Sequence, residues 1–166
     1  MIDLIEYARF LVSGKGDSIC TGRADSVFGI DYRKLARSGK KLVIFDADET
    51  LSKNHGKLPK ETLALLRALL KLGFKLAILS NCGRKRREAL RKMLGRLPVL
   101  VGETGNKPNR EGFARLMADA GASPEKTIMV GDKPGVDLWG AYVSGIRERI
   151  LVGKYSGLGG RKKKLS

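Results

Sequence analysis

An α/β domain built on a mostly parallel sheet with helices packed over it is the fold class this sequence predicts, and three observations point to it. Apolar, partly β-branched runs alternate with stretches of helical period from Asp31 to the end of the chain. The clearest runs end in polar clusters: Leu42-Val-Ile-Phe45 in Asp46-Ala-Asp48, Phe74-Lys-Leu-Ala-Ile-Leu79 in Ser80-Asn81, and Thr127-Ile-Met-Val130 in Gly131-Asp132. Carboxyl ends of strands are where open parallel sheets bind ligands. At 166 residues, 42% hydrophobic and 30% charged, the chain has the size and composition of one folded domain rather than of a disordered polymer.

Each element has its own signal. Ile2, Leu4, Ile5, Ala8 and Leu11 line one side of a short N-terminal helix. Asp3 and Glu6 make its insertion into an anionic membrane unfavourable, so packing on the domain or a partner is expected. Gly14 to Gly22, with three glycines, reads as a loop. Asp31 is placed to cap a short helix running through Leu35, and the core begins at Lys41. Glu61 to Leu72 carries leucines at 63, 66 and 70 and at 65, 69 and 72, a broad apolar face that Gly73 ends. The helix after Ser80 turns Ala89, Leu90, Met93 and Leu94 inward, and the next turns Phe113, Leu116, Met117 and Ala120 inward. Gly135 to Ser144 reads as a short helix or turn bearing Trp139, a packing or subunit-contact residue. Gly153 to Ser166 is glycine-rich and ends in Arg161-Lys-Lys-Lys164, which predicts a mobile basic tail. The expected division is an N-terminal extension over 1–25, the domain over 26–153 and the tail over 154–166.

Chemistry concentrates in Asp46-Ala-Asp48-Glu-Thr50. Alternate residues of an extended chain share a side, so two carboxylates and a hydroxyl converge where the first strand meets solvent. Such a pair can hold a hard cation through one carboxylate while supplying a nucleophile and a proton donor, the requirements of phosphoryl transfer. The plainer reading is a loop that starts with two solvated acids. Further on, Gly105-Asn106-Lys107-Pro108 sets a lone ammonium in a turn, and Gly131-Asp132-Lys-Pro-Gly-Val-Asp137 places two more acids just past a strand. Cys20, Cys82 and the single histidine, His55, fit neither a disulfide framework nor a structural zinc site.

In this order, D-x-D-x-T, Ser80, Lys107 and G-D-x-x-x-x-D resemble the four motifs of the haloacid dehalogenase-like phosphohydrolases, which implies their three-layer, Rossmann-like fold. Ser26-Val-Phe-Gly-Ile30, Asp31-Tyr-Arg-Lys-Leu35, Ser80-Asn81, Lys107-Pro108 and Gly145-Ile-Arg-Glu-Arg-Ile-Leu-Val152 look more narrowly like the YqeG-type phosphatases. That group includes the phosphatidylglycerophosphate phosphatases, and the resemblance covers roughly residues 26 to 153. Glu49 stands where that group usually has Asn, and Lys133-Pro-Gly-Val136 where it usually has a Gln and a Thr. The resemblance implies a Mg2+-dependent phosphomonoesterase in which Asp46 is the nucleophile, Asp48 the acid and base, and Thr50 its positioner. It gives Ser80, Asn81 and Lys107 to the phosphoryl oxygens. It gives the ion to Asp46, the backbone carbonyl of Asp48, and Asp132, with Asp137 orienting Lys107 or a metal-bound water. Between Asp48 and Ser80 there is room for one loop, one helix and one strand, which leaves none for a cap domain and predicts an open cleft.

A net charge of +16 is the second large feature. Arg84-Lys-Arg-Arg87 opens the helix after Ser80, so Arg84, Lys85 and Arg87, together with Lys133, are candidates for a substrate-attracting mouth. The plainer reading is a solvated face. A phosphorylated lipid at an anionic membrane surface is the preferred substrate by resemblance; nucleic-acid ends and soluble metabolites are the enzymatic alternatives, and a neighbouring subunit covering the cleft would make a homo-oligomer. A non-catalytic scaffold binding RNA or membrane is the competing class, against which stand the intact Asp46 and Asp48 and an aromatic content of only 6% for stacking bases. No apolar stretch is long enough to span a bilayer and the N-terminus lacks a basic signal region, so the expected compartment is the cytoplasm, with peripheral membrane contact.

Overall fold

Strand β2 (Leu42–Phe45) is buried at every residue, which is why its sequence is a continuous apolar run rather than an alternation. In the computed structural model, which describes residues 3–103 and 106–157, it lies in the middle of a six-stranded sheet. The other strands are β1 (Gly22–Ala24), β3 (Lys75–Ile78), β4 (Val99–Val101), β5 (Thr127–Gly131) and β6 (Glu148–Val152), and the order is β1-β6-β5-β2-β3-β4. Every pairing between these strands is parallel. The mostly parallel sheet expected from the sequence is therefore wholly parallel among the described residues.

Pleating divides the core into two layers. Val43, Phe45, Leu76, Ile78 and Val130 face one side, where α2 (Tyr32–Arg37), α3 (Lys60–Lys71) and α4 (Arg84–Leu94) cover them through residues such as Tyr32, Leu66, Leu69 and Leu90. Leu42, Ile44, Ala77, Leu79 and Met129 face the other, covered by α1 (Leu4–Val12), α5 (Arg110–Ala120) and α6 (Trp139–Val143) through Phe10, Phe113, Leu116 and Trp139. Asp31 caps α2 as expected, its Oδ1 accepting from the Lys34 amide at 2.9 Å. A single π-type turn, Pro134–Leu138, precedes α6.

The two ends of the domain differ from expectation in three ways. Asp3 caps α1 by accepting from the Ile5 and Glu6 amides at 3.0 and 3.1 Å, but the side that packs is aromatic rather than aliphatic. Phe10 stacks on Trp139 at 4.4 Å and Tyr7 donates through its hydroxyl to the Gly135 carbonyl, while Leu4, Ile5 and Leu11 of the expected side remain 74%, 66% and 56% exposed; Ile2 lies outside the described residues. Ring stacking on the indole outweighs the longer aliphatic stripe. The glycine-rich segment expected as a loop contains a 3-10 turn at Lys15–Ile19 and ends in β1, which pairs with β6. Gly22-Arg-Ala24 has no strand propensity of its own. It is drawn into the sheet by β6 and by Arg149, whose Nε donates to the Ile19 carbonyl at 2.6 Å and whose carbonyl accepts from the Thr21 amide at 2.8 Å. At the other end, Tyr155 lies within the expected tail yet donates from its amide to the Glu49 carbonyl and from its hydroxyl to Glu61. Residues 158–166, with the basic run, lie outside the described residues.

Candidate active site

The sheet order reverses between β2 and β5: α3 carries the chain from β2 outward over one face, and α5 brings it back to β5 over the other. This is the switch point at which parallel α/β sheets open a crevice beyond their carboxyl ends. Asp46 is the first residue past β2, its amide still donating to the Val130 carbonyl at 2.9 Å, and Asp132 is the first past β5. Ser80 follows β3 and is buried. Lys107 comes from the loop before α5, which Asn81 secures by giving its amide NH2 to the Lys107 carbonyl at 2.8 Å and accepting from the Lys107 amide at 2.7 Å. Asn81 therefore contacts the backbone that presents Lys107.

Lys107 is the electrostatic centre. Its Nζ lies 2.6 Å from Asp46 Oδ1 and 2.5 Å from Asp137 Oδ1, with its side chain 2% exposed. Burial acts to lower the Lys107 pKa, but the charges of Asp137 and Asp46 outweigh it and the group is held above its ordinary value. Burial pushes the Asp137 carboxyl up to about 6 against the pull of the ammonium. The second oxygen of Asp137 accepts from the Lys133 amide at 3.1 Å, so this acid is committed to holding Lys107 and the turn. Gly131 makes room for it: a Cβ there would collide with the Asp137 carboxylate. Thr50 reaches Asp46 Oδ2 only at 3.4 Å.

Asp48 is bound on both sides. Arg86 donates to its Oδ1 at 2.8 Å and His55 Nδ1 lies 2.7 Å from its Oδ2. Asp46, Asp48, Ser80, Asn81, Lys107, Lys133 and Asp137 line one cleft of about 160 Å3, joined by His55 and Val136. Arg84, Lys85 and Arg87 are not among its lining residues: Arg84 pairs with Glu88 at 3.4 Å, Lys85 is exposed, and Arg87 turns back to the Cys82 carbonyl. His55 and Arg86 escaped the sequence reading. A lone histidine and one arginine among four neighbouring cations carry no spacing signal, although Arg86 sits in the first turn of α4, the helix that follows Ser80.

Asp46, Asp132 and Asp137 bring one carboxylate oxygen each within 4.8 Å of one another. Asp132 Oδ1 is buried without a hydrogen-bond partner, and burial followed by the nearby Asp46 charge raises its pKa. An orphaned buried carboxylate oxygen beside a second carboxylate fits a hard divalent cation, whereas Asp137 already has both oxygens engaged.

Residues 52–145 match the family model of the haloacid dehalogenase-like hydrolases. No curated protein matches the chain. Among solved structures, an uncharacterised protein from Listeria monocytogenes serotype 4b is similar at 19% identity and a TM-score of 0.55, covering 68% of this chain and 90% of that one. The cobalt-bound deoxy-D-mannose-octulosonate 8-phosphate phosphatase of Haemophilus influenzae is similar at 20% identity and a TM-score of 0.50, covering 70% and 78%. Both show the same fold.

Proposed function

Because this chain belongs to the haloacid dehalogenase-like hydrolases, we propose that it hydrolyses phosphomonoesters through a phosphoryl group carried transiently on Asp46. The observation that carries this reading is Asp46 itself, a carboxylate at the sheet's switch point, 2.6 Å from a buried ammonium and opening onto a cleft it shares with Asp48. An Asp46 oxygen bonds to phosphorus as the ester P–O bond breaks, and the Asp48 carboxyl gives its proton to the departing oxygen. Water then bonds to phosphorus and gives a proton to Asp48. The Asp46–phosphorus bond breaks, and inorganic phosphate leaves with both acids restored. Lys107 and Ser80 offset charge on the phosphoryl oxygens as it develops. Thr50 steadies the loop between the two acids, and Asp137 keeps Lys107 in place.

The cation expected there is Mg2+, which Asp46, Asp132 and the backbone carbonyl of Asp48 would hold. When bound it would supply positive charge to the phosphoryl oxygens. The only chain between β2 and α3 is the 46–59 segment, folded on itself by a bridge between Asp48 and Ser52, which supports a site without a cap domain. An open cleft on a chain of net charge +16 suits a bulky phosphate ester, and the YqeG-type resemblance favours a phosphatidylglycerophosphate-like lipid met at a membrane surface. No helix of the described residues is long and apolar enough to cross a membrane. Phosphate release from a panel of lipid, sugar, nucleotide and oligonucleotide monophosphates tests the reading. The lipid should be turned over with the highest kcat/KM; preference for a sugar or nucleotide phosphate would refute the lipid assignment, and no release from any would refute the phosphatase assignment.

A further inference from the structure

Of the four cations that open α4, Arg86 is the one that reaches Asp48. Its NH2 group donates to Asp48 Oδ1 at 2.8 Å and to Ser52 Oγ at 3.1 Å, and its NH1 group donates to the Gly56 carbonyl at 2.9 Å. The Arg86 and Asp48 side chains are 15% and 11% exposed. The three acceptors come from successive parts of the 48–56 segment, which has little regular structure to fix it. That segment holds three residues at positive φ, Glu49 (67°), Asn54 (50°) and His55 (54°), a conformation that side-chain-bearing residues keep only when their surroundings enforce it. One guanidinium thus ties the proton-transfer acid and its loop to a helix.

We propose that Arg86 is the positioning residue for proton transfer by Asp48. This role rests on the phosphomonoesterase reading above. By holding Oδ1, Arg86 fixes the carboxyl group and makes Oδ2, whose only partner among the described residues is the exposed His55 at 2.7 Å, the oxygen that exchanges a proton with the leaving oxygen and with water. Oδ2 is the oxygen that His55 faces from the exposed side of the cleft. A planar fork serves three acceptors at once, whereas a lysine at the same place brings a point charge and reaches fewer of them. Misplacing a reacting group by about 1 Å costs on the order of 10²-fold in rate, and general acid–base catalysis as a whole contributes about 10²–10⁴-fold.

Rapid-mixing kinetics of Arg86→Ala and Arg86→Lys with phenyl phosphate and 4-nitrophenyl phosphate test the role. Phenoxide is a poor leaving group that needs the proton; 4-nitrophenoxide departs without it. In Arg86→Ala, phenyl phosphate turnover should fall about 10²-fold. With 4-nitrophenyl phosphate the first equivalent of nitrophenol should appear at nearly the wild-type rate, followed by slow turnover, because activating water still requires Asp48. Arg86→Lys should fall between wild type and Arg86→Ala, and Arg86→Ala should cost nothing further in an Asp48→Asn background. Equal slowing of the first turnover with both substrates, or a full additional loss in the Asp48→Asn background, would assign Arg86 to general folding of the loop and overturn the proposal. Should Arg86→Ala not fold, the same leaving-group comparison on Arg86→Lys decides. Wild-type protein that releases phosphate from neither ester nor any of the lipid, sugar, nucleotide and oligonucleotide monophosphates would overturn the phosphatase reading, and this role with it.

Discussion

Lys107 sits between two carboxylates that water barely reaches, and its removal exposes what it balances. Lys107→Met leaves Asp46 and Asp137 facing each other in a buried site, and breaking a buried ion pair in this way costs about 3–5 kcal/mol. Urea denaturation in the presence of chelator should show a loss of that order, and the Lys107→Met/Asp137→Asn double variant should recover part of it. A Lys107→Met protein as stable as wild type would mean that the trio is not coupled. At this scale the sequence was legible where spacing fixes geometry. Asp46 and Asp48 share a strand end, which extended backbone alone brings together, and Asp132 comes just past β5, which the parallel pairing of β2 with β5 sets beside them. The contacts of Lys107 with Asp46 and Asp137, and of Arg86 and His55 with Asp48, depend on loops converging from distant parts of the chain. No local period encodes such convergence.

Elements with a strong apolar period matched their expected ranges. The helix read over Glu61 to Leu72 is α3 (Lys60–Lys71), and the expected inward residues of α5 are buried. Features that exist only through a partner were not legible: β1 has one flanking ladder and no β-branched residue, and although α1 is expected as a helix packed on the domain or a partner, the side it packs is chosen by the indole of Trp139. The turn from β5 into the π-type turn is the element that most directly sets the site, because the Asp137 carboxylate folds back over Gly131. Gly131→Ala should displace that carboxylate, loosen Lys107, and lower kcat about 10²-fold while far-ultraviolet circular dichroism stays native. Unchanged turnover in Gly131→Ala would show that Asp137 can move without consequence for Lys107.

Over the whole molecule, the parallel sheet does two things: it buries β2 on both faces, and its reversal between β2 and β5 opens the crevice where the acids collect. The alternation of strand and helical patterns made this architecture readable, whereas the surface was less so, since a net charge of +16 does not say which cations turn inward. With Asp132 Oδ1 orphaned beside Asp46, exhaustive chelation should abolish turnover and added Mg2+ should restore it, with little restoration by Ca2+, which should bind the same acids but, with its larger radius and looser coordination, misplace the nucleophile relative to phosphorus. Full activity in chelator would remove the metal from the account. The central claim is that Asp46 carries the phosphoryl group, and the most direct measurement is acid-quenched mass spectrometry of Asp48→Asn mixed with 4-nitrophenyl phosphate. The account predicts one phosphoryl group on Asp46 and none in the Asp46→Asn/Asp48→Asn protein. Phosphorylation of a different residue, or Asp46→Asn turning over substrate at the wild-type rate, would contradict it.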